Sequence, residues 1–484
     1  RDDGYRVVSL VCKQLQLGGC GELSPRGVLS GLRFFACFCL PSWQSSDASD
    51  IQESEASQVL HTIRQDSLIG LVSLICLPQH LEMSNTWALG EVLPSNKSIM
   101  NENTSSIVSG MIGSVGKILR SVLTQIGVLP NSRDSQFSLD SIYKTQLVQC
   151  LIEAIKEFGS TLTDVAVADL SHVLSELVLT SSRFMSKFTE YNGLQILNEL
   201  PHLVFEPNRN NSPHAEEALV CGLQLASHLA RHSDQHHEVL ADVLSPDKLS
   251  SILRNGGSTA RAKCCNFIGN RCRHSARFYT TLSSKITSSN QTIAALVVNC
   301  CKDSDSATRK FACFAIGNAA FHNPALYKLL TSAIVPLKEC LLDSDDKTRA
   351  NSAGALGNLA RNGGDLAKDL ADVDAPIALL SLVMSNDLDF SSNASNISSK
   401  RTALFSLGTM AAYASTRSNL VSSKNTTTKS SPSKKSPVSR LAVQEVSVDD
   451  LFHSVNHSPN SVDETLMKYL TRLKTKLSAK AQQY

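Results

Sequence analysis

The densest run of chemically competent side chains is HLARHSDQHHE, where His228, His232 and His236 stand at i, i+4 and i+8 beside Asp234 and His237. On one continuous helix that spacing would line imidazoles along a face, and two histidines at i, i+4 form a zinc-binding pair. Ser233-Asp234 reads as a helix stop before the third histidine can join, so the run is expected to be a solvated connecting loop, with no metal assigned. The 14 cysteines of the chain contain no CxxC pair, and the adjacent ones, Cys264-Cys265 and Cys300-Cys301, lie in apolar runs. They read as structural thiols in a reducing compartment. Enzyme signatures are absent: there is no G-x-S-x-G elbow, H-E-x-x-H pair or Walker loop. Protein-kinase chemistry would need a glycine-rich loop, a strand lysine, H-R-D and D-F-G. HTIRQD at His61–Asp66 has the wrong spacing, and GGCGEL at Gly18–Leu23 follows no strand.

The remaining candidates are amides. TRANSAGALGNLARNGG, Thr348 to Gly364, embeds Asn358 in an otherwise small or aliphatic run, and the same arrangement recurs along the chain. TARAKCCNFIGNRC begins at Thr259, ATRKFACFAIGNAA at Ala307, KTRANSAGALGNLA at Lys347 and SKRTALFSLGTMAA at Ser399. Aligned on Gly269, Gly317, Gly357 and Gly408, the four share a basic residue eight positions earlier: Arg261, Arg309, Arg349 and Lys400. Asparagine follows the glycine in three of them, as Asn270, Asn318 and Asn358, and Thr409 stands there in the fourth. A helix repeated every forty-odd residues, with room for further helices between copies, implies an α-solenoid.

The elements around these segments agree. Apolar residues at three- and four-residue spacing mark helices in Ser106–Val128, Thr145–Phe158, Asp164–Leu179 and Glu216–Ala230, and no strand series appears. The expected organisation is a divergent helical-repeat region over 1–253 with loops at 42–57 and 85–105, and a regular array over 254–420. A disordered basic Ser/Pro linker over 421–460 and an amphipathic helix over 461–484 follow. In the array's helix Arg349–Ala360, the residues Ala353, Leu356, Gly357 and Ala360 form a thin face for close packing between repeats. Lys347, Asn351, Gly354, Asn358 and Arg361 form the opposite face, so Asn358 is expected to point away from the closest seam.

The pattern R-x-x-A-x-x-A-L-G-N-L-A resembles the third helix of armadillo repeats, with Val335–Leu342 and Pro376–Met384 resembling the second helices. More narrowly, FACFAIGNAAFHNPALYKLL followed by TRANSAGALGNLARNGGDLAKDL is similar to the C-terminal region of Fused-type serine/threonine protein kinases, the match covering roughly Arg254 to Leu420. The resemblance implies an all-α armadillo/HEAT-type solenoid and a non-catalytic scaffold for protein partners. It further implies Hedgehog-type signalling or ciliary and microtubule-associated assembly, with kinesin-like or Hedgehog-pathway partners in the cytoplasm, cilium or cytoskeleton. ATP and magnesium would belong only to a kinase domain preceding Arg1, and an opening on Arg1 rather than methionine is taken as a sign of a missing N-terminal portion.

By the same resemblance, Asn270, Asn318 and Asn358 line a concave groove and pair with the backbone of an extended peptide, with Phe314, Arg361 and Thr409 beside them. The alternative reading is that the asparagines tie adjacent repeats together or cap a neighbouring loop. Nuclear-import adaptors place tryptophan four residues before the asparagine, whereas Asn266, Phe314, Gly354 and Phe405 stand there. A nuclear-localisation-signal receptor is therefore disfavoured, and a stand-alone armadillo adaptor for peptide or cargo binding stands as the alternative to the kinase scaffold. Phe311, Phe314 and Phe321 share a side with Asn318 and are either core or an exposed patch.

Toward the C-terminus, Ser431, Ser436 and Ser458 each precede proline and are candidate phosphorylation sites in a segment whose first half, 421–440, has five basic and no acidic residues. Leu466, Leu470, Leu473 and Leu477 then form a stripe, flanked by Lys468, Arg472, Lys474 and Lys476, that docks on the array, meets a partner helix or touches an anionic surface. With a net charge of +2 there is no global footprint for nucleic acid. No uninterrupted apolar run reaches membrane-spanning length, and N-x-S/T triplets, at Asn96, Asn103 and Asn396 for example, are those a serine-rich chain produces by chance.

Overall fold

The computed structural model describes residues 25–34, 61, 69, 97–159, 162–199, 213–232, 236–286, 290–362, 364–384, 397–422, 451 and 464–478. The described elements are helices and an isolated bridge between Lys285 and Thr292, the all-α solenoid expected. The chain divides into two units, Arg1–Ala226 with Glu238–Val243, and Ser227–His237 with Leu244–Tyr484.

In the first unit, α1 (Pro25–Phe34) and α3 (Asp164–Thr180) both pack against the long helix α2 (Lys97–Val128). Three glycines at three-residue spacing make this possible. A Cβ on Gly110 would lie 3.1 Å from Leu29 of α1, one on Gly113 3.1 Å from Ala166 of α3, and one on Gly116 3.3 Å from Asp169 of α3. The α2 helix begins at Lys97, so the loop expected over 85–105 is helical from 97 onward. Residues 97–105 contain no glycine or proline to stop a helix. Ile107–Val128 has the length and apolar composition of a membrane-crossing helix, which a search for uninterrupted apolar runs passes over because of Lys117 and Arg120. Most of it is buried, and Arg120 is paired with Asp169 at 3.0 Å and Glu217 at 2.6 Å, as in the core helix of a globular unit.

In the second unit, each repeat pairs a second helix with a third. The second helices are α4 (Pro246–Asn255), α6 (Ile293–Cys300), α8 (Ile334–Cys340) and α10 (Ala375–Met384), and the third helices are α5 (Ser258–Arg273), α7 (Ser306–Ala319), α9 (Asp346–Leu359) and α11 (Ile397–Met410). The third helices pack side by side in chain order, and short first helices such as Tyr279–Ser283 and Tyr327–Leu330 connect the repeats. Val335 and Leu342, at the ends of one expected second helix, are exposed, and that helix is shorter, Ile334–Cys340.

Two repeats start their third helix with the same device, D-S-D-x-x-T-R. Asp305 and Asp345 are N-caps that accept from the amides of Thr308 and Thr348 at 2.7 and 2.9 Å. The preceding aspartates bind the arginine of the repeat before. Arg261 grips Asp303 with Nε at 2.7 Å and Nη2 at 3.1 Å, and Arg309 grips Asp343 at 2.6 and 3.2 Å. Such forked pairs fix the rotation between neighbouring helices as well as adding charge-assisted bonds. The series stops at Arg349, which turns to Asp346 on its own helix at 3.0 Å.

Of the segments expected as loops or linkers, 42–57 lies outside the described residues. So does 421–460 apart from Val421, Ser422 and Leu451, together with Ser431, Ser436 and Ser458. The amphipathic helix is present as α12 (Glu464–Ser478).

Candidate peptide-binding face

The asparagine row is where sequence expectation and structure diverge. Asn318 donates one of its two Nδ2 hydrogens to the carbonyl of Gly269 at 3.0 Å, and Asn358 does the same to Gly317 at 2.9 Å. Each therefore reaches into the preceding third helix, and Asn358 lies at the seam rather than away from it. The reason is geometric: glycine at Gly269 and Gly317 leaves the carbonyl beside it open to an approaching amide. Asn270, the first of the row, is buried and donates to Ser227 Oγ at 2.7 Å and Asn266 Oδ1 at 3.2 Å. Thr409 departs, as its substitution foreshadowed. Its hydroxyl donates to Phe405 O of its own helix at 3.2 Å, while Ser406 spans the seam between α11 and α9 to Ala353 O at 2.8 Å.

Phe314 sits one turn before Asn318 with its ring over Gly269, where a Cβ would meet Cδ1 at 2.4 Å. The aromatic row is thus neither core nor free patch: Phe311 and Phe314 are half-buried, and Phe321 is 36% exposed with the Arg361 guanidinium 4.0 Å above its ring. The expected thin face is confirmed, since Ala353, Leu356, Gly357 and Ala360 are all buried. Lys347, Asn351, Gly354, Asn358 and Arg361 make the exposed or half-exposed side of α9.

Sequence reading passed over the tyrosines that hold the helix ends. Tyr279 Oη donates to Asn318 O at 3.4 Å, and Tyr327 Oη donates to Asn358 O at 2.6 Å and to Ala320 O at 3.2 Å. His322 Nε2 lies 3.0 Å from Cys272 O, and Asn362 Nδ2 donates to Ala320 O at 3.3 Å. These bonds add a second donor to Asn318 O and Asn358 O, which already accept from the Phe321 and Arg361 amides, and reach Cys272 O and Ala320 O at the helix ends. Burial pushes the Tyr279 hydroxyl up to about 12, so it stays a donor. Their signal was present as tyrosines 48 residues apart, at the repeat spacing.

The C-terminal helix extends the row. Lys476 Nζ donates to Gly408 O at 2.7 Å, the bond that Asn318 and Asn358 make to the earlier glycines. Leu470 and Leu473, six and three residues before Lys476, are buried where Ala312 and Ala315 are buried before Asn318. Leu477 is half-buried, nothing is described of the Leu466 side chain, and Tyr469 meets Phe405 edge-on at 5.5 Å. The stripe docks on α11 as a further third helix would.

The histidines do not assemble. The His228 and His232 rings are 4.4 Å apart at the end of the helix Pro213–His232, whereas His236 and His237 are buried rather than solvated, because a new helix starts at His237. No group of three potential metal ligands occurs among the described residues. The nine described cysteines are free thiols, eight of them buried, and burial pushes Cys272 up to about 12.

Residues 306–359 match the HEAT-like repeat family. No curated protein matches the chain. Among solved structures, an engineered protein overlays with a TM-score of 0.57 at 14% identity, covering 96% of this chain and 98% of its own. The designed armadillo repeat protein YIII(Dq)4CqI gives 0.40 at 18% identity, covering 54% of this chain and 99% of its own. The designed armadillo repeat protein YIII(Dq.V1)4CPAF, solved in complex with peptide (KR)4, gives 0.36 at 15% identity, covering 60% and 99%.

Proposed function

We propose that the chain is a non-catalytic scaffold that holds an extended segment of a partner protein along the outward sides of α5, α7 and α9. The supporting observation is the row of part-exposed Phe311, Phe314, Asn318 and Phe321, continued by Asn351, Asn358 and Arg361, on a face that no described helix covers. Because Asn318 and Asn358 each use one Nδ2 hydrogen on the seam, the second N–H and the Oδ1 of each amide are left to pair with the backbone of a peptide.

Selection of peptides from a random display library against the full chain tests the reading. Asn318 and Phe314 are seam residues, so the informative variants are Phe311→Ser and Phe321→Ser. Loss of about tenfold or more in affinity for the selected peptides supports the face, in line with aromatic anchors at protein interfaces. Unchanged affinity removes it.

The similarity of the Arg254–Leu420 region to Fused-type kinases supports the narrower reading that this scaffold serves such a serine/threonine kinase, in cytoplasm or cilium, toward Hedgehog-pathway or kinesin-like proteins. An upstream reading frame without kinase motifs would remove that reading and leave the scaffold intact.

A further inference from the structure

The outward face has a regular charge pattern that the net charge of +2 conceals. Lys310 lies over the Phe311 ring at 5.1 Å, Arg361 over Phe321 at 4.0 Å and Arg472 over Phe405 at 5.6 Å. Arg273, Lys347 and Lys468 are exposed on the same helices. Among the described residues none of these six forms an ion pair. The carboxylates that balance them are placed elsewhere: Asp303, Asp305, Asp343 and Asp345 sit at helix starts and are committed to arginines and caps. Asp346 is bound by Arg349 and Ser399, and exposed Asp365 lies beyond the end of α9. Charge is therefore segregated, with the acids at the helix N-termini and the cations along the face.

Resting on the scaffold reading above, we infer that the bound segment is acidic, an extended peptide rich in aspartate and glutamate. Cations laid on aromatic rings are held in place before a ligand arrives, so an incoming carboxylate meets an ordered donor with no competing acid to displace. The asparagine Oδ1 atoms between them match the N–H groups of a peptide backbone. A deoxyribose-phosphate backbone has no such donor and would leave those oxygens unpaired, which favours peptide over DNA.

The test uses the full chain and four fluorescent probes: the octapeptides (Asp-Glu)4, (Lys-Arg)4 and (Ser-Gln)4, and a 20-mer of single-stranded DNA. Anisotropy is read at low and at physiological salt, with the variants Lys347→Glu, Lys347→Glu/Arg361→Glu and Phe311→Ser. Lys347 makes no described contact, so its single variant guards against loss of folding. Tightest binding of (Asp-Glu)4, weakened about tenfold by the double reversal and reduced by salt, supports the inference. If (Lys-Arg)4 or (Ser-Gln)4 binds as well or better and Phe311→Ser abolishes it, the face binds peptides and the acidic preference is overturned. Tighter binding of the DNA overturns the peptide assignment. Binding of none of the probes, or binding unaffected by every variant, overturns both readings.

Discussion

Asn318 and Gly269 are joined across a repeat boundary by one hydrogen bond of 3.0 Å, and the ring of Phe314 closes over the same glycine. The missing side chain at Gly269 thus serves two partners, an amide that needs its carbonyl and a ring that needs its space. Gly269→Ala places a methyl within 2.4 Å of the ring and 3.2 Å of the Ala315 backbone. A cost of about 1–3 kcal/mol is expected from overpacking, against at most about 1 kcal/mol gained in helix propensity. In a Phe314→Ala background the same substitution is expected to cost at least about 1 kcal/mol less, the close approach to the Ala315 backbone remaining. Urea denaturation of the four proteins in this cycle measures the coupling, and additive effects would contradict it.

The forked arginine pairs predict an acid-sensitive array. Burial alone would raise Asp343, but hydrogen bonds from Arg309 and the Asp345 amide hold it below the ordinary aspartate range, and Asp303 is held down likewise by Arg261. A depressed folded-state value means that this stability is complete above the unfolded aspartate range and is lost as pH falls through the folded value. The array is expected to weaken only below about pH 4 from these groups. Asp343→Ala removes the fork and leaves Arg309 only the Asp303 and Ser304 carbonyls, and is expected to cost roughly 2 kcal/mol at neutral pH while flattening the acid limb. Denaturant midpoints at pH 7, 5, 4 and 3 check both effects.

His172 on α3 predicts a separate transition in the first unit. Burial, aided by the Arg120 charge, lowers it from 6.5 to about 4, with Glu217 opposing. The unfolded chain then binds the proton first, so stability falls as pH drops from about 6.5 to about 4, by at most about 3 kcal/mol. His172→Gln is expected to remove that slope, read by the pH dependence of amide exchange in residues 164–180. An unchanged slope would assign it to other groups.

Docking of α12 can be separated from folding of the array. Leu473 is fully buried against α11, so Leu473→Asp places a charge where only apolar surface fits. Amide exchange across 464–478 is expected to accelerate at least about tenfold while α5, α7 and α9 keep their protection. Loss of protection in α9 as well would show that the helix is integral to the repeats rather than a cap on them.

Much of this molecule was readable before its coordinates. Gly269, Gly317, Gly357 and Gly408 with the basic residue eight positions earlier set the repeat and the order of the third helices, and the burial of Ala353, Leu356, Gly357 and Ala360 follows from helical period alone. The leucine spacing of the last helix announced an apolar face. Each of these depends on contacts within one helix or on a strict period, which a linear pattern records.

The sequence could not say what the asparagines, the phenylalanines or the terminal helix touch. An amide offers both a donor and an acceptor, and only the approach of α7 to the open carbonyl at Gly269 commits Asn318 to the seam. Lys476 occupies the equivalent place before Gly408 from 68 residues away. The arginines were visible as a repeat, but their aspartate partners lie 34 and 42 residues further on, where loop length and helix rotation decide which carboxylate arrives. Repetition along the chain determined the elements; close approach between helices decided which polar atoms are spent on the seams and which cations remain for a partner.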